Sequence, residues 1–447
     1  MTPRELAEKI CRVLAEAGHE AFLVGGCVRD LVLGRPPEDY DVATDATPDR
    51  VESLFPGSLT VGAKFGVVAV VEEGVQVEVA TFRSDISYTD GRHPDRVVFS
   101  RSAAEDVRRR DFTINGLLLD PGSGQVLDFV GGRADLEAGL IRAIGDPEHR
   151  FAEDKLRMLR AIRFAARFGF AIELTTFAAI RRLTPEIRQV SAERVRDELT
   201  RLLREGSARR GFELLDASGL LAEVLPEVAR MKGVEQPPEF HPEGDVWIHT
   251  RLMLQELPAG VSETLAWAVL LHDVGKPPTF TPASGPGSRI RFDGHAEVGA
   301  VMTQAICKRL RFSNAQAEQS VSLVRNHLRF IDVPRMKPAT LKRFVRLPAF
   351  EEHLELHRLD CLSSHGKLDT YDFVRRFLAV TPAEEVRPPR LVSGEDLKSL
   401  GLKPGPIFGR ILAAIEEAQL DAKVKTREDA LALAGEMARE APGAEPK

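Results

Sequence analysis

Two aspartates separated by a single residue are the strongest chemical signal in the sequence. Asp39 and Asp41 flank Tyr40 at the start of a β-rich run, DYDVAT. Side chains two residues apart on a strand lie on one face, about 6 to 7 Å apart along the chain. Two carboxylates so placed repel each other unless a cation lies between them, and Mg²⁺ carrying substrate phosphates prefers oxygen ligands. The spacing therefore predicts metal-assisted nucleotidyl transfer, in which Mg²⁺ activates a hydroxyl and neutralises the leaving pyrophosphate.

A third acid and a pair of glycines could complete such a site. Glu78 alternates with Val77 and Val79 in VQVEVATF, and it is either a third carboxylate from a neighbouring strand or a solvent-facing acid. Gly25 and Gly26 end the first β-rich run and precede a helical segment. Backbone amides at such a turn can face an anion, although a plain strand-to-helix turn uses the same residues.

A basic segment with three-residue spacing lies further along the chain. Asp154, Arg157 and Arg160 are spaced by three, which places them near one helical face, and Arg163 and Arg167 extend that stripe. Residues 150 to 210 contain 15 Lys and Arg against 8 Asp and Glu, whereas the whole chain has a net charge of −6. Such a face either binds phosphates or is a solvated surface with ordinary Asp–Arg pairs.

Eight motifs together resemble one enzyme family. In chain order from about residue 20 to 205 they are GGCVRD, LVLGRPPEDYDVAT, VGAKFGVVAV, VEVATFRSD, RRRDFTINGL, DFVGGRADL, RFAEDKLRMLRAIRFAARFGF and SAERVRDEL. This series resembles the class II tRNA nucleotidyltransferases, which are the bacterial CCA-adding enzymes and their poly(A) polymerase relatives. The resemblance implies an enzyme that acts on tRNA with CTP and ATP as substrates and Mg²⁺ at the transferase site.

The resemblance also implies roles for individual residues. Gly25 and Gly26 would approach the triphosphate, and Asp39 and Asp41 would hold the metal ions. Arg29 and Arg110 would contact the incoming nucleotide, and Asp111 would support the ribose or triphosphate. Residues 128 to 135 (DFVGGRAD) would form the hinge between head and neck. Residues 84 to 96 resemble the flexible loop used in changing from CTP to ATP.

Base selection is implied for the EDxxR motif that contains Asp154 and Arg157. Cytosine and adenine each present an amino donor beside a ring-nitrogen acceptor, whereas uracil and guanine present a carbonyl acceptor beside an N–H donor. A carboxylate only accepts hydrogen bonds and a guanidinium only donates them, so the pair complements C and A without a nucleic-acid template. Arg160 and Arg163 would touch base or phosphate, and Arg194 and Arg201 would steer the tRNA backbone.

Three kinds of related enzyme remain open: one that makes the complete CCA end, a specialist that adds only CC or only A, and a poly(A) polymerase. The loop at 84–96 disfavours the CC-only specialist. Poly(A) polymerases typically carry a basic GRRFR-like segment where this chain has GAKFGV from Gly62 to Val67, which favours CCA addition. Two readings from other classes also remain. One is a phosphohydrolase whose transferase half binds RNA, and the other is a non-catalytic tRNA-binding protein or chaperone.

A second group of residues resembles the metal site of the HD superfamily of phosphohydrolases. The apolar run LAWAVLLHDVGK ends in His272 and Asp273, and burying both without a partner would be costly. The predicted ligands are His249, His272, Asp273 and Asp360, with His295 and His327 as further candidates. Imidazole and carboxylate ligands suit Mn²⁺, Ni²⁺, Fe or Mg²⁺, so the divalent metal is not identified, and the sequence leaves hydrolytic activity open.

The elements that must position these residues indicate an α/β head followed by helices. Short β-rich runs between Phe22 and Leu119 predict a mixed sheet of about five strands with helices. After Pro147 the periodicity becomes helical, with Leu156, Leu159 and Ile162 facing a core. The predicted domains are a nucleotidyltransferase head at 1–146, a helical neck at 147–235, a helical HD domain at 236–380 and a helical tail at 381–447.

Composition places the chain among ordinary globular proteins. It has 447 residues with 43% hydrophobic and 29% charged, and no apolar run approaches the roughly 20 residues that a bilayer requires. No membrane partner and no export signal are predicted, so a cytoplasmic location is expected. Four widely spaced cysteines are predicted to be buried thiols: Cys11, Cys27, Cys307 and Cys361. The sequence does not indicate an oligomeric state.

Overall fold

The chain folds into two compact units. The computed structural model describes residues 1–59, 66–86, 96–285 and 287–440. The first unit comprises Met1–Lys232 with Leu257–Ala266 and Cys307–Phe312, and the second comprises Gly233–Glu256, Trp267–Ile306 and the chain from Ser313 onward. Within the described ranges, no helix has both the length and the apolar character needed to cross a membrane. All four cysteines are buried and free, as predicted.

The first unit begins with interleaved strands and helices. In chain order they are α1 (Pro3–Glu16), β1 (Ala21–Val24), α2 (Gly26–Val32), β2 (Asp41–Thr44), α3 (Pro48–Leu54), β3 (Val67–Glu72), β4 (Val75–Thr81), β5 (Arg83–Ile86), β6 (Arg96–Phe99), α4 (Ala103–Arg108), a 3₁₀ helix (Thr113–Asn115), β7 (Leu117–Leu119), β8 (Val126–Asp128), α5 (Gly132–Ala138) and β9 (Leu140–Ile141).

Six strands form one mixed sheet in the order β3-β4-β2-β1-β7-β8. Strands β2 and β4 are parallel, and the other neighbouring pairs are antiparallel. The predicted mixed sheet is therefore confirmed, with one strand more than expected. Two predicted segments fall largely outside the described residues. Residues 87–95 of the loop expected at 84–96 and residues 62–65 of the segment at 62–67 are not described.

The register of the sheet places two acids side by side. Asp41 on β2 is paired with Glu78 on β4, and paired residues share one face of a sheet. Glu78 reaches that face because Val77 and Val79 alternate with it and are buried on the other side. Asp39 precedes β2, so the strand begins two residues later than the sequence predicted.

Helix α1 covers the buried side of the sheet. Thr2 caps it, since its side chain accepts a hydrogen bond from the backbone N–H of Glu5. Leu6, Ile10 and Leu14 repeat at four-residue intervals and are all 0% exposed. The regular spacing of these three side chains is the reason that this segment is a surface helix with one apolar face.

Helices dominate the rest of the first unit. They are α6 (Pro147–Glu153), α7 (Leu156–Phe168), α8 (Leu174–Leu183), a 3₁₀ helix (Thr184–Gln189), α9 (Ala192–Arg204), α10 (Ala208–Ser218), α11 (Leu220–Val224) and α12 (Pro226–Ala229), with the short strand β10 (Ala171–Ile172) paired to β9. Leu156, Leu159 and Ile162 of α7 are buried, as the helical periodicity predicted.

Asp154 differs from the prediction. It ends α6 in an extended conformation, with φ −148° and ψ 104°, and α7 begins two residues later. The expected helical stripe from Asp154 to Arg167 is therefore wrong at its first residue, because Asp154 lies between two separate helices, α6 and α7. Arg157, Arg160 and Arg163 do share α7.

The remaining chain is helical, as predicted. Its elements are α13 (Val246–Glu256), α14 (Glu263–Leu271), α15 (Lys276–Thr279), α16 (His295–Arg309), α17 (Asn314–Asn326), a 3₁₀ helix (His327–Arg335), α18 (Pro338–Phe344), α19 (Phe350–Ser363), α20 (Asp369–Val380), α21 (Ala383–Val386), α22 (Gly394–Ser399), α23 (Pro406–Leu420) and α24 (Arg427–Glu440). One apolar cluster centres on Phe330, Phe344 and Phe350, and another on Ile411 and Ile415.

A tight turn connects β8 to α5 in the segment predicted to be a hinge. Asp128 Oδ1 accepts hydrogen bonds from the backbone N–H groups of Val130, Gly131 and Gly132, at 2.9 to 3.1 Å. Gly131 has a φ of 80°, a conformation that favours glycine. A Cβ on Gly132 would lie 2.2 Å from the carbonyl oxygen of Thr113, so only glycine fits at this position.

We expect Gly132→Ala to lower the free energy of unfolding by about 1–3 kcal/mol, because the added methyl group forces the backbone away from Thr113. Urea unfolding followed by circular dichroism measures this change. The matched control is Gly409→Ala in α23, where an added Cβ meets no atom within 4 Å and alanine is the better helix former. Equal stability of the two variants would contradict the steric account.

Candidate functional site

One cleft in the first unit brings together all the residues predicted for nucleotide and transferase-metal binding. Its volume is about 840 Å³. The predicted residues that line it are Gly25, Gly26, Arg29, Asp39, Asp41, Glu78, Arg110, Asp111, Asp154, Arg157, Arg160 and Arg163. These residues come from positions more than 130 apart in the sequence, and the fold alone collects them.

Three carboxylates form the acidic wall of the cleft. Asp39, Asp41 and Glu78 are all exposed, and the sheet register sets Asp41 directly opposite Glu78. Loss of water contact and repulsion by Glu78 and Asp39 raise the pKa of Asp41 to about 6, although Arg110 opposes this shift. The raised pKa therefore reflects first the partial removal of Asp41 from water and second the negative charge of its two acidic neighbours. An all-oxygen donor set of this kind fits a hard divalent cation.

The glycine turn lies beside this wall. Gly25 has a φ of 74°, which favours glycine, and α2 begins at Gly26. A Cβ on Gly25 would lie 3.3 Å from Nη1 of Arg110, so glycine also permits the close approach of that guanidinium. Arg110 is held from behind by Asp106, whose Oδ2 lies 3.0 Å from Nη2. The turn and Arg110 together present donors to the cleft.

Arg29 is buried and engaged by the protein itself. Its Nε donates to Asp30 Oδ1 at 2.9 Å and its Nη1 donates to Asn115 Oδ1 at 2.7 Å. The guanidinium also lies 4.6 Å from the ring centre of Phe168. Asn115 was not predicted from the sequence. It follows Asp111 by four residues and donates to Asp111 Oδ1 at 3.0 Å, so that spacing is the signal that could have identified it.

Asp111 and Arg160 form an ion pair across the cleft. Arg160 Nε donates to Asp111 Oδ2 at 2.9 Å. Burial raises the pKa of Asp111, but Arg160 and the hydrogen bond from Asn115 outweigh burial and lower that pKa to about 2. Asp111 is therefore ionised over the physiological range and keeps Arg160 in a fixed position.

Arg163 is more deeply buried than a nucleotide-contacting stripe suggests. It is 4% exposed, and its Nε donates to Glu198 Oε2 at 2.7 Å. Its Nη1 donates to Glu205 Oε1 at 3.1 Å. The structure thus places the charged atoms of Arg163 in ion pairs within the protein, although the side chain lines the cleft.

The two predicted base-reading side chains both have protein partners. Asp154 accepts two hydrogen bonds from Arg194, at 3.1 and 2.7 Å. Arg157 donates to the carbonyl oxygens of Arg150 and Arg109, at 3.0 and 3.1 Å, and pairs with Glu153. Both side chains are largely shielded from solvent, with 17% and 12% exposure. Sequence spacing paired Asp154 with Arg157, whereas the structure pairs it with Arg194.

The second unit contains a cluster of the six predicted HD residues. The ligand atoms of His249, His272 and Asp360 lie within 4.8 Å of one another, and so do those of Asp273, His295 and His327. The two groups adjoin, since His272 Nε2 lies 3.2 Å from Asp273 Oδ2. The structure therefore brings together every residue that the sequence predicted for this site.

The histidines of this cluster are oriented by backbone carbonyls. The Nδ1 atoms of His272, His295 and His327 lie 2.6 to 3.0 Å from the carbonyl oxygens of the residues three positions earlier. In the neutral imidazole each Nδ1 therefore carries the proton, and Nε2 keeps a lone pair that can bind a metal ion. In the described part of the chain, the buried Nε2 atoms of His249, His272 and His295 make no hydrogen bond of acceptable geometry. Such orphaned nitrogens fit a divalent metal.

Glu243 is a member of this site that the sequence did not reveal. Its Oε1 lies 2.8 Å from His249 Nδ1 and 2.9 Å from His241 Nδ1. Burial lowers the pKa of His249, but the carboxylates of Asp360 and Glu243 outweigh burial and raise that pKa to about 9. The segment QPPEFHPEGD reads as a proline-rich connection, and a glutamate six residues before His249 was the available signal.

Comparison with known families agrees with both sites. Residues 21–142 match the poly A polymerase head domain, and residues 169–232 match a probable RNA and SrmB-binding site of polymerase A. Residues 245–359 match the HD domain. These matches cover the acidic wall of the cleft and most of the HD cluster.

Two relatives that match nearly the whole chain are CCA-adding enzymes. The CCA-adding enzyme of Leuconostoc mesenteroides is 33% identical over 431 residues, which cover 95% of this chain and 94% of that protein. The CCA-adding enzyme of Levilactobacillus brevis is 32% identical over 432 residues, which cover 96% and 97%. The structure of the Bacillus stearothermophilus CCA-adding enzyme in complex with CTP covers 98% of both chains, with 28% identity and a TM-score of 0.74. This chain therefore belongs to the family of CCA-adding enzymes.

Proposed function

We propose that the chain adds C, C and A to the 3′ end of tRNA from CTP and ATP, without a nucleic-acid template. The observation that carries this proposal is the single cleft in which the acidic wall, the glycine turn and the Asp154–Arg157 motif meet. Membership of the CCA-adding enzyme family supports it. One related structure contains CTP, which indicates the class of nucleotide that the cleft would accept.

In this proposal, Asp39 and Asp41 hold Mg²⁺, and Glu78 adds negative charge beside them. The chemistry that Mg²⁺ supplies when bound is activation of the tRNA 3′-hydroxyl and neutralisation of charge on the leaving pyrophosphate. The hydroxyl oxygen attacks the α-phosphate, a new P–O bond forms, and pyrophosphate leaves. Arg110 and the backbone at Gly25 and Gly26 orient the triphosphate for that attack.

Asp154 and Arg157 select the base. An acceptor from Asp154 meets the amino group of C or A, and a donor from Arg157 meets the ring nitrogen. Uracil and guanine present the opposite pattern and would bring two acceptors, or two donors, together. The ion pairs of Arg160 and Arg163 hold α7, the helix that carries Arg157, so we assign these two residues a supporting role.

The HD cluster is proposed to bind divalent metal through His249, His272, Asp273, His295, His327 and Asp360. The orphaned Nε2 atoms favour a metal-dependent phosphohydrolase as a second activity of the chain. Mixed imidazole and carboxylate donors are suited to Mn²⁺, Ni²⁺ or Fe. Glu243 would hold His249 with its Nε2 atom toward the metal.

The proposed product is a tRNA that ends in the complete CCA sequence. Addition of the whole CCA end is favoured over A addition alone and over poly(A), because the full-length relatives are CCA-adding enzymes. In the proposed domain organisation the head ends at residue 146, the neck at 235 and the HD domain at 380, and the tail follows.

We also propose a cytoplasmic location, in agreement with a tRNA substrate.

Purified protein should extend three tRNAs that end at the discriminator base, after the first C and after the second C, each to a single terminal A. Sequencing of product ends after incubation with CTP, ATP or both checks this outcome. Growth beyond one A would favour the poly(A) product. Extension of the third substrate alone would favour an A-adding specialist.

Asp39→Ala and Asp41→Ala should each lower nucleotide incorporation at least about 100-fold, because metal stabilisation of the transition state contributes several kcal/mol. Binding of tRNA should change little. The matched control is Asp49→Ala, which removes an exposed aspartate from α3 of the same head. Full activity of both cleft variants would refute the metal-ligand assignment.

The apparent affinity for Mg²⁺ should fall as pH decreases through about 6. Below that pH Asp41 is protonated, so the metal must displace a proton, which weakens binding by up to about tenfold per pH unit. Incorporation rates titrated with Mg²⁺ between pH 5 and 8 measure this dependence. Glu78→Gln removes one of the charges that add to the effect of desolvation on the pKa of Asp41, so the inflection should move to lower pH. An unchanged inflection would rule out coupling between the two acids.

Metal binding in the second unit should depend on the HD cluster and leave CCA addition intact. His272→Ala should abolish the Mn²⁺ binding that remains in the Asp39→Ala variant, measured by calorimetry, together with any metal-dependent phosphoester hydrolysis. His272→Ala alone should keep CCA addition. The control is His365→Ala, which removes an exposed histidine of the same unit. Mn²⁺ binding that survives when Asp39→Ala and His272→Ala are combined would contradict this site.

A further inference from the structure

Asp154 is held by an arginine from outside the EDxxR motif. Arg194 lies on α9, 40 positions further along the chain, and its guanidinium faces the carboxylate with both terminal nitrogens. Nη1 donates to Oδ1 at 3.1 Å and Nη2 donates to Oδ2 at 2.7 Å. Arg194 is 22% exposed and Asp154 is 17% exposed, so solvent screens this pair only partly.

The two oxygens of Asp154 are not equivalent. Oδ1 accepts from Arg194 and also from the backbone N–H of Leu156 at 3.1 Å, which occupies both of its lone pairs. Among the hydrogen bonds of the described residues, Oδ2 accepts only the one from Arg194. Oδ2 therefore keeps one lone pair for a further donor.

The backbone alone does not fix this arrangement. Asp154 stands in extended conformation between α6 and α7, so no helix restricts its side chain. The bond from Leu156 holds one oxygen, and a carboxylate held at one atom can still rotate. The second contact from Arg194 prevents that rotation, because a planar guanidinium matches both oxygens at once.

We propose that Arg194 is a positioning residue for nucleotide selection: it fixes Asp154 so that Oδ2 alone accepts the amino group of the incoming C or A. This inference rests on the proposed base-reading role of Asp154. It replaces the expectation that Arg194 steers the tRNA backbone. A carboxylate oxygen held in place accepts an amino group and repels the carbonyl of U or G, whereas a rotating carboxylate discriminates less.

The test compares single-nucleotide incorporation by wild type, Arg194→Lys and Arg194→Gln. CTP and UTP are offered to tRNA lacking its CCA end, and ATP and GTP to tRNA ending in CC. We expect the ratio of kcat/KM for CTP over UTP to fall about tenfold or more in Arg194→Gln, since a positioned hydrogen bond to a charged group is lost. Arg194→Lys keeps the charge but not the two-point contact, so its ratio should be intermediate.

The matched control is Arg196→Lys on the same helix. Arg196 pairs with Asp197 and with the carbonyl oxygen of Arg311, and it does not line the cleft. Its CTP over UTP ratio should equal that of wild type. Melting temperature and tRNA affinity, measured for each variant, separate a positioning role from loss of structure.

The outcomes distinguish the inference from the function on which it rests. Equal loss of CTP and UTP use in Arg194→Gln, with an unchanged ratio, would overturn the positioning role. Weaker and less salt-dependent tRNA binding with an unchanged ratio would restore the backbone-steering role instead. Failure of wild-type protein to incorporate either nucleotide would overturn the proposed function itself.

Discussion

Pairing of arginine with carboxylate is the interaction on which the cleft depends. A guanidinium removed from water is costly unless it is hydrogen-bonded, and each buried arginine of the cleft has an acidic partner. Arg29 pairs with Asp30, and Arg163 pairs with Glu198. The positive charge of these buried arginines is therefore neutralised by neighbouring carboxylates. The acids of the cleft are balanced less well, since desolvation and repulsion by Glu78 and Asp39 raise the pKa of Asp41 to about 6 although Arg110 opposes this shift. A divalent cation bound there would offset that repulsion.

The same pairs also tie separate elements into one rigid surface. Asn115 connects Arg29 on α2 to Asp111, and Asp111 connects onward to Arg160 on α7. Glu198 on α9 then lies within ion-pair distance of Arg160. Preorganised donors and acceptors lose little free energy on binding, because their orientation is set before the nucleotide arrives. A protein template for bases requires this property, since side chains without fixed orientation cannot replace a nucleic-acid strand.

Local patterns in the sequence predicted the sheet and its acids, but not the partners of the charged residues. Alternation of Val77, Glu78 and Val79 follows from strand geometry, so the face that carries Glu78 was predictable. The interruption of the helix at Asp154 was not predictable, because the three-residue spacing between Asp154 and Arg157 is also typical of one continuous helix. Its pairing with Arg194 joins residues 40 positions apart, and no local periodicity encodes a contact of that range. Motif resemblance located the site, whereas only the fold showed which arginine meets which acid.

The carboxylates of the two candidate metal sites differ in their exposure to solvent and in how their charge is stabilised. The three acids of the cleft are accessible to solvent, although Asp41 is partly desolvated and its pKa is raised to about 6. Asp273 is 1% exposed and depends on charges supplied by the protein, among them Lys276, whose Nζ lies 2.7 Å from Oδ2. Its histidine neighbours have their tautomers set by carbonyls three residues earlier, a contact that each helix or turn supplies locally. The second unit thus orients three of its imidazoles through backbone carbonyls and the fourth, His249, through Glu243. The first unit instead brings Asp41 and Glu78 together through sheet register.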